Sequence, residues 1–183
     1  MLEEKLQGKR ITLERARADR ETAEKSFNCV EASRAEFLPW LDWAAETKSP
    51  DDTYDFLKSS EEKWNEKKEF VYTIRLQGEL IGFITVLDVS EEDKRCAIGY
   101  WMSTPYSGQG YMPEAVSILE RELFAKGFNR IVIHTDVLNL RSASVPKKLG
   151  YVHEGVLREV MFSKLHNRFR SINTFSKLRS DLK

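Results

Sequence analysis

The segment Ile98-Gly99-Tyr100-Trp101-Met102-Ser103-Thr104-Pro105-Tyr106-Ser107-Gly108-Gln109-Gly110-Tyr111-Met112-Pro113-Glu114-Ala115 constrains the fold more than any other. A strand runs into a glycine-punctuated loop, and the loop opens a helix over residues 113–126. Ala115, Val116, Ile118, Leu119 and Leu123 fall on one side of that helix, and Gly127 stops it. The first turn of a helix has unpaired N–H groups and the positive end of the dipole, so it can hold a phosphate. Gly108 and Gly110 can adopt φ > 0, which lets loop amides approach a pyrophosphate closely. Two known phosphate loops are excluded. Tyr111 follows Gly110 where an NTP loop needs Lys and Ser/Thr, and Pro113 stands where a dinucleotide fingerprint needs its third glycine. On residues alone the loop is either a helix cap or an anion site, and its strand-to-helix placement favours the anion site.

The rest of the chain supplies a sheet around this unit. Residues 10–14 alternate as a first strand, Asp19 can N-cap a helix reaching about Ala32, and Ser49-Pro50-Asp51-Asp52 start a second helix carrying Tyr54, Phe56, Leu57 and Trp64. Between them Phe37-Leu38-Pro39-Trp40-Leu41-Asp42-Trp43 reads as a core plug or lid. Strands at 70–76, 80–87 and 96–102 are joined by short turns and are therefore antiparallel neighbours. Residues 131–137 form a nearly all-apolar strand of the buried parallel kind, 141–149 a short helix stopped by Gly150, and 151–161 and 169–178 the closing strands. The predicted order β-α-α-β-β-β-α-β-α-β-β is an α/β fold in a single domain, 1–183. It has a mixed sheet of about seven strands, about four helices and one right-handed βαβ crossover.

Composition then narrows the function classes. The 183 residues carry 29 Lys+Arg against 29 Asp+Glu, which argues against a strongly basic nucleic-acid binder and against an acidic disordered chain. The zero sum hides a split. Residues 1–93 hold 14 basic and 22 acidic side chains, net −8, and residues 94–183 hold 15 basic and 7 acidic, net +8. Cys29 and Cys96 form no disulfide framework, and His134, His153 and His166 are scattered, so no metal site is expected. Met1-Leu2-Glu3-Glu4-Lys5 lacks an export signal, and no apolar run approaches the ~20 residues of a membrane span, so a cytoplasmic protein is expected. Just past the 131–137 strand come Asp136, Asn139, Arg141, Ser142 and Ser144, at the strand end where α/β sheets bind ligands. Asn139, donor and acceptor at once, suits an amide-bearing ligand; alternatively it is a turn residue and Ser142 an N-cap.

With these residues in place the chain resembles the GNAT superfamily of N-acetyltransferases, and within it the Rim-type ribosomal-protein N-acetyltransferases. The matching pieces are Ile98 to Met102, Ser107 to Ala115, Asp136-Val137-x-Asn139-x-Arg141-Ser142 with Val145-Pro146-x-Lys148-Leu149-Gly150-Tyr151, and Glu154-Gly155-x-Leu157-Arg158. The resemblance implies a centrally splayed sheet, with acetyl-CoA as co-substrate between the strands at 96–102 and 131–137. It implies that Ser107, Gly108, Gln109, Gly110, Tyr111 and Met112 hold the pyrophosphate and that the backbone of Trp101 and Met102 pairs with the pantetheine. Asn139 would contact that arm, and Lys148, or Lys147, would reach the 3′-phosphate. Ser142 is implied as the acid that protonates the departing thiolate, with Tyr106, Tyr151 and Tyr111 as substitutes. A homodimer is left open, and neither nucleic acid nor membrane is implied as a partner.

The general base is the weak point of the resemblance. Positions often acidic in relatives are Ala97 and Met161 here, and Ser171 stands where an Asp is common, leaving Glu154, Glu159 and Asp88 as candidates. An α-amine of pKa ≈ 7.7–8.0 is on the order of 10–20% neutral at pH 7, whereas lysine at ≈ 10.4 is below ~0.1%. A site without a strong base thus favours a protein N-terminus, ribosomal protein being the class the resemblance suggests. Small acceptors such as a polyamine, aminoglycoside or amino sugar stay open, as does a non-catalytic acyl-CoA sensor. The acidic first half would attract a cationic acceptor.

Overall fold

Local signals start the helices as the sequence suggests. In a computed structural model describing residues 1–182, Asp19 accepts from the Thr22 amide at 2.8 Å and opens α1 (Arg20–Glu31). Ser49 and Asp52 form a reciprocal capping box ahead of α4 (Pro50–Asn65), with Pro50 in its first turn. The elements run β1 (Lys5–Gln7), β2 (Ile11–Arg15), α1, α2 (Arg34–Phe37), α3 (Trp43–Glu46), α4, β3 (Phe70–Leu76), β4 (Glu79–Ser90), β5 (Arg95–Met102), α5 (Tyr111–Ala125), β6 (Arg130–Asp136), α6 (Leu140–Lys148), β7 (Val152–Ser163) and β8 (Arg168–Leu178). Three of these go beyond the expected seven strands and four helices. β1 has a single apolar residue, Leu6, and is built by pairing with β2. The four-residue helices α2 and α3 are too short to show a helical period.

All eight strands join one mixed sheet in the order β1-β2-β3-β4-β5-β6-β8-β7. Every neighbouring pair is antiparallel except β5 and β6. The last strand inserts between β6 and β7, which leaves β7 at the edge.

Alternation along the strands gives the sheet two packed faces. Phe70, Tyr72, Ile74, Ile84, Val86, Cys96 and Ile98 pack with Ala115, Val116, Leu119 and Leu123 of α5. Val71, Leu80 and Phe83 turn the other way, against Ala23 of α1 and Leu57 of α4. A bulge in β4 opposite Ile74 and Arg75 puts one extra residue between Leu80 and Gly82, so Leu80 and Phe83 share a face although three residues apart. Gly82 lies opposite Met102, where a Cβ would sit 2.4 Å from the Trp101 carbonyl oxygen, so no larger residue lets β4 approach the end of β5 this closely. No helix among the described residues is long and apolar enough to cross a membrane.

Candidate active site

The sheet splits between its two parallel strands. β5 and β6 pair only through Arg95↔Arg130, Cys96↔Ile131 and Ala97↔Val132. Beyond Ala97, β5 stays bonded to β4 as far as Met102, and β6 to β8 as far as Asp136. The cleft-facing backbone groups of β5 from Ile98 onward therefore have no strand partner, and a cavity of about 600 Å³ opens there. It passes through the sheet. Tyr100, Met102, Met112 and Val145 border it on the α5–α6 side, and Trp101, Phe37 and Trp43 on the α1–α4 side.

The glycine loop forms one wall. Gly108 (φ +77°) and Gly110 (φ +83°) both take left-handed conformations, and Gly110 is the N-cap of α5 with no side-chain capping bond. The first-turn amides of α5 are thus left for a ligand. Arg10, which the sequence reading did not single out, braces this loop. Its backbone N–H and Nε each donate to the Glu114 carboxylate at 2.7 Å, and Nη1 donates to the Gln109 carbonyl at 2.9 Å. Its guanidinium also lies 4.6 Å from the Tyr111 ring centroid. Burial alone would raise the Glu114 pKa, but the bonds from Arg10 outweigh it and hold the carboxyl below its usual range. Ser107, Gly108, Gly110, Tyr111 and Met112 line the cavity; the Gln109 side chain instead turns back to the Pro105 carbonyl at 3.1 Å.

Opposite stand Arg141 and Lys148, two cations on α6 that line the same cavity. Asn139, not Ser142, is the N-cap of α6. Its Oδ1 accepts from the Ser142 amide at 3.0 Å, which leaves its NH₂ group for a ligand. The Ser142 hydroxyl lies 3.4 Å from the Tyr100 hydroxyl, and the Tyr100 hydroxyl donates to the Ser142 carbonyl at 3.0 Å. The Oγ1 atoms of Thr104 and Thr135 are buried, unpartnered within the described residues, and belong to lining residues.

The remaining wall joins segments far apart in sequence. Phe37, Trp43 and Trp101 form an aromatic cluster with centroids 5.6–6.2 Å apart, packed as a plug, and Trp40, Leu41 and Trp43 also line the cavity. The segment is fastened to the β7–β8 hairpin. Arg170 Nη1 donates to the Trp40 carbonyl at 2.8 Å, Ser163 Oγ to Asp42 at 2.8 Å, and His166 Nε2 lies 2.9 Å from the Leu38 carbonyl. Arg170 also pairs with Asp136 at 2.7 Å, both side chains being almost completely buried. Burial tends to raise the Asp42 pKa, but the Ser163 hydroxyl and the Leu165 and Lys164 amides together hold it below its ordinary value.

Several expected site residues lie elsewhere. The Glu154 carboxylate sits between Arg130 (2.7 and 2.5 Å) and Ser176 (2.7 Å) and does not line the cavity. Its hydrogen bond from Arg130 brings its pKa down to about 2, too weakly basic to take a proton from an amine near neutral pH. Glu159 and Asp88 do not line the cavity either, nor does Lys147. Tyr151 is buried outside it, above Lys177, whereas Tyr106 and Tyr111 line it. Of the three lining carboxylates, Asp136 is held by Arg170 and the Leu138 amide and Asp42 by Ser163; the Glu36 carboxylate has no partner among the described residues.

A mixed sheet split at its single parallel pair, with a glycine-capped helix N-terminus at the split, defines an α/β fold whose cleft suits an extended, phosphate-bearing ligand. The particular family follows from direct comparison. Residues 10–152 match the acetyltransferase (GNAT) domain, and the chain belongs to that family. It is 26% identical over 139 residues to the ribosomal-protein-serine acetyltransferase of Escherichia coli (strain K12), covering 75% of this chain and 76% of that protein. In fold it is similar to RimL, the ribosomal L7/L12 alpha-N-protein acetyltransferase, in complex with coenzyme A, with a TM-score of 0.88 and 21% identity over 96% of this chain and 98% of that one. It is also similar to the microcin C7 self-immunity acetyltransferase MccE in complex with acetyl-CoA and AMP, with a TM-score of 0.87 and 23% identity over 93% of each chain.

Proposed function

We propose that this chain transfers the acetyl group of acetyl-CoA to the α-amine of a protein N-terminus, with a ribosomal protein as the acceptor class suggested by its relatives. The observation that carries this is the split beyond Ala97, which presents free β5 backbone groups beside the α5 N-terminus, where no side chain caps the first-turn amides. The residues present fit the co-substrate. First-turn amides of α5 with Gly108 and Gly110 suit a pyrophosphate, Arg141 and Lys148 a further phosphate, and the strand edge at Trp101 and Met102, with the Asn139 amide, a pantetheine arm. The unpartnered Thr104 and Thr135 hydroxyls add polar contacts. Acetyl-CoA supplies an activated thioester; the chain orients it, excludes water with the aromatic segment 37–43, and offers the Ser142 hydroxyl as acid.

With Met161 and Ala97 offering no base, an acceptor already partly neutral at pH 7 is favoured, and Glu36 is the cavity carboxylate free to attract its cationic form. The test is free-thiol release from acetyl-CoA against a panel of amines. Ribosomal-protein N-terminal peptides are expected to outrun N-blocked lysine peptides, polyamines and amino sugars. Equal use of blocked peptides would sink the acceptor assignment, and acetyl-CoA binding without thiol release from any amine would make the chain a sensor. The apolar residues Val152, Val156, Val160, Phe162 and Phe169, exposed on the β7–β8 hairpin at the sheet edge, support a homodimer. Sedimentation showing only monomer at every concentration would dismiss it.

A further inference from the structure

We infer that Tyr100 is a positioning residue whose hydroxyl holds the Ser142 hydroxyl ready, at the mouth of the split, for the departing sulfur of the acyl donor. This rests on the acetyltransferase reading above and assigns a part to a side chain to which the family resemblance gave none. Tyr100 stands on β5 three residues past the last pair with β6, and its hydroxyl reaches the first turn of α6. Its ring packs against the core cluster on the α5 side of the sheet. Packing alone needs only the ring, and a buried hydroxyl costs stability unless it is bonded.

Three of the other helical serines return their hydroxyls to their own helix, whereas Ser59, Ser117 and Ser142 do not, and of these three Ser142 alone meets a tyrosine hydroxyl. Ser26 donates to the Thr22 carbonyl, Ser60 to the Phe56 carbonyl and Ser144 to the Arg141 carbonyl, the ordinary return of a helical hydroxyl to its own backbone. Ser142 makes no such bond. Its amide is fixed by Asn139 at 3.0 Å, its carbonyl accepts the Tyr100 proton at 3.0 Å, and its own hydroxyl is left to point at the Tyr100 oxygen at 3.4 Å. Burial pushes the Tyr100 phenol up to about 12, so it stays protonated, and with its proton committed to a carbonyl it can only accept from Ser142. The 3.4 Å contact is long for an O–H···O bond, so a sulfur arriving in the split displaces it at little cost.

In the transfer step the amine nitrogen bonds to the acetyl carbon and the carbon–sulfur bond breaks with its electron pair on sulfur. The thiolate takes the Ser142 proton, and the proton shed by the nitrogen restores Ser142. Tyr100 donates nothing in this step; it keeps Ser142 from turning back on its helix.

The test is a double-mutant cycle with two readouts. Tyr100→Phe, which removes the 3.0 Å bond to the Ser142 carbonyl together with the longer hydroxyl contact, is expected to lower kcat about tenfold, the scale of one lost hydrogen bond, with KM for acetyl-CoA unchanged, and to cause no further loss in a Ser142→Ala background. The second readout is the ultraviolet titration of the thiol of bound CoA. A thiol ordinarily titrates near about 8.5; in the wild type it is expected lower, and Tyr100→Phe and Ser142→Ala should return it upward alike. Independent, multiplying losses in the double variant, or a bound-thiol titration unmoved by Tyr100→Phe, would overturn the inference. If Tyr100→Phe does not fold, a ring-fluorinated tyrosine at position 100 keeps the bond and alters its strength, and an unmoved titration would again be fatal. A wild type that binds CoA yet acetylates no amine refutes the activity reading instead, and the thiol titration still judges the Tyr100–Ser142 contact.

Discussion

Glu154 shows how a residue can be conspicuous in sequence and structural in place. It lies in Glu154-Gly155-x-Leu157-Arg158, a stretch that matches relatives, yet its carboxylate ties β6 to the β7–β8 hairpin through Arg130 and Ser176. Its folded pKa, about 2, lies below the ordinary ≈ 4.3. The stability it contributes is therefore present above about pH 4.3 and is lost as pH falls toward 2. Glu154→Gln is expected to lower the Tm at pH 7 and to flatten the loss of Tm between those pH values, with thiol release unchanged; the comparison is a pH series of thermal melts beside the activity assay. Gly110 behaves oppositely, as a backbone residue with a ligand-binding consequence. At φ +83° an alanine costs about 1–2 kcal/mol, and its Cβ would lie 3.3 Å from Arg10 Nη2. Gly110→Ala is expected to weaken acetyl-CoA binding at least tenfold in a calorimetric titration and to lower Tm, because the brace and the loop amides shift together. Gly110 could be read from the sequence, since φ > 0 and a helix start are local demands. Arg10 could not, because its role comes from a contact with a loop about a hundred residues away.

At the scale of elements, the aromatic wall of the cavity depends on a fastening rather than on packing alone. The segment 38–42 carries little regular structure and is held by Arg170, Ser163 and His166 of the β7–β8 hairpin. Ser163 is 1% exposed, and removing its hydroxyl takes from the partly exposed Asp42 the side-chain donor that fastens the segment. Ser163→Ala is expected to raise KM for the amine about fivefold while leaving KM for acetyl-CoA unchanged; steady-state kinetics with each substrate varied in turn separates the two. The elements that make the co-substrate side were legible because strand, turn and amphipathic helix are each written within fifteen or so residues. Helices α2 and α3 were not, since four residues hold no period, and the segment's fastening joins positions more than a hundred apart. Asp136 was noticed for its position at a strand end, but its pairing with Arg170 depends on β8 inserting between β6 and β7, a topology that no stretch of sequence states. The seven expected strands became eight for a related reason, β1 being a strand only through its partner β2.

For the whole molecule, the charge split finds a partial counterpart in the cavity, where Arg141 and Lys148 come from the +8 half and Glu36 and Asp42 from the −8 half. Arg170 and Asp136, both from the later half, cancel one another in between. The three residue pairs that join β5 to β6 have a further consequence, for how long the protein lasts rather than for what it catalyses. Beyond so brief a seam the two halves are joined by a few side-chain ties, such as Tyr100 to Ser142 and Arg170 to the Trp40 carbonyl, and a molecule bound in the gap adds to them. Ligand present at a hundred times its Kd favours the closed fold by about 2.7 kcal/mol, and cleavage of a transiently opened chain tracks the population of the open form. Acetyl-CoA at saturating concentration is accordingly expected to slow proteolysis of this chain about a hundredfold, read as the decay of intact protein on a gel, with acetate alone giving no protection. In a cell, the lifetime of such a protein would rise and fall with the acyl donor supply.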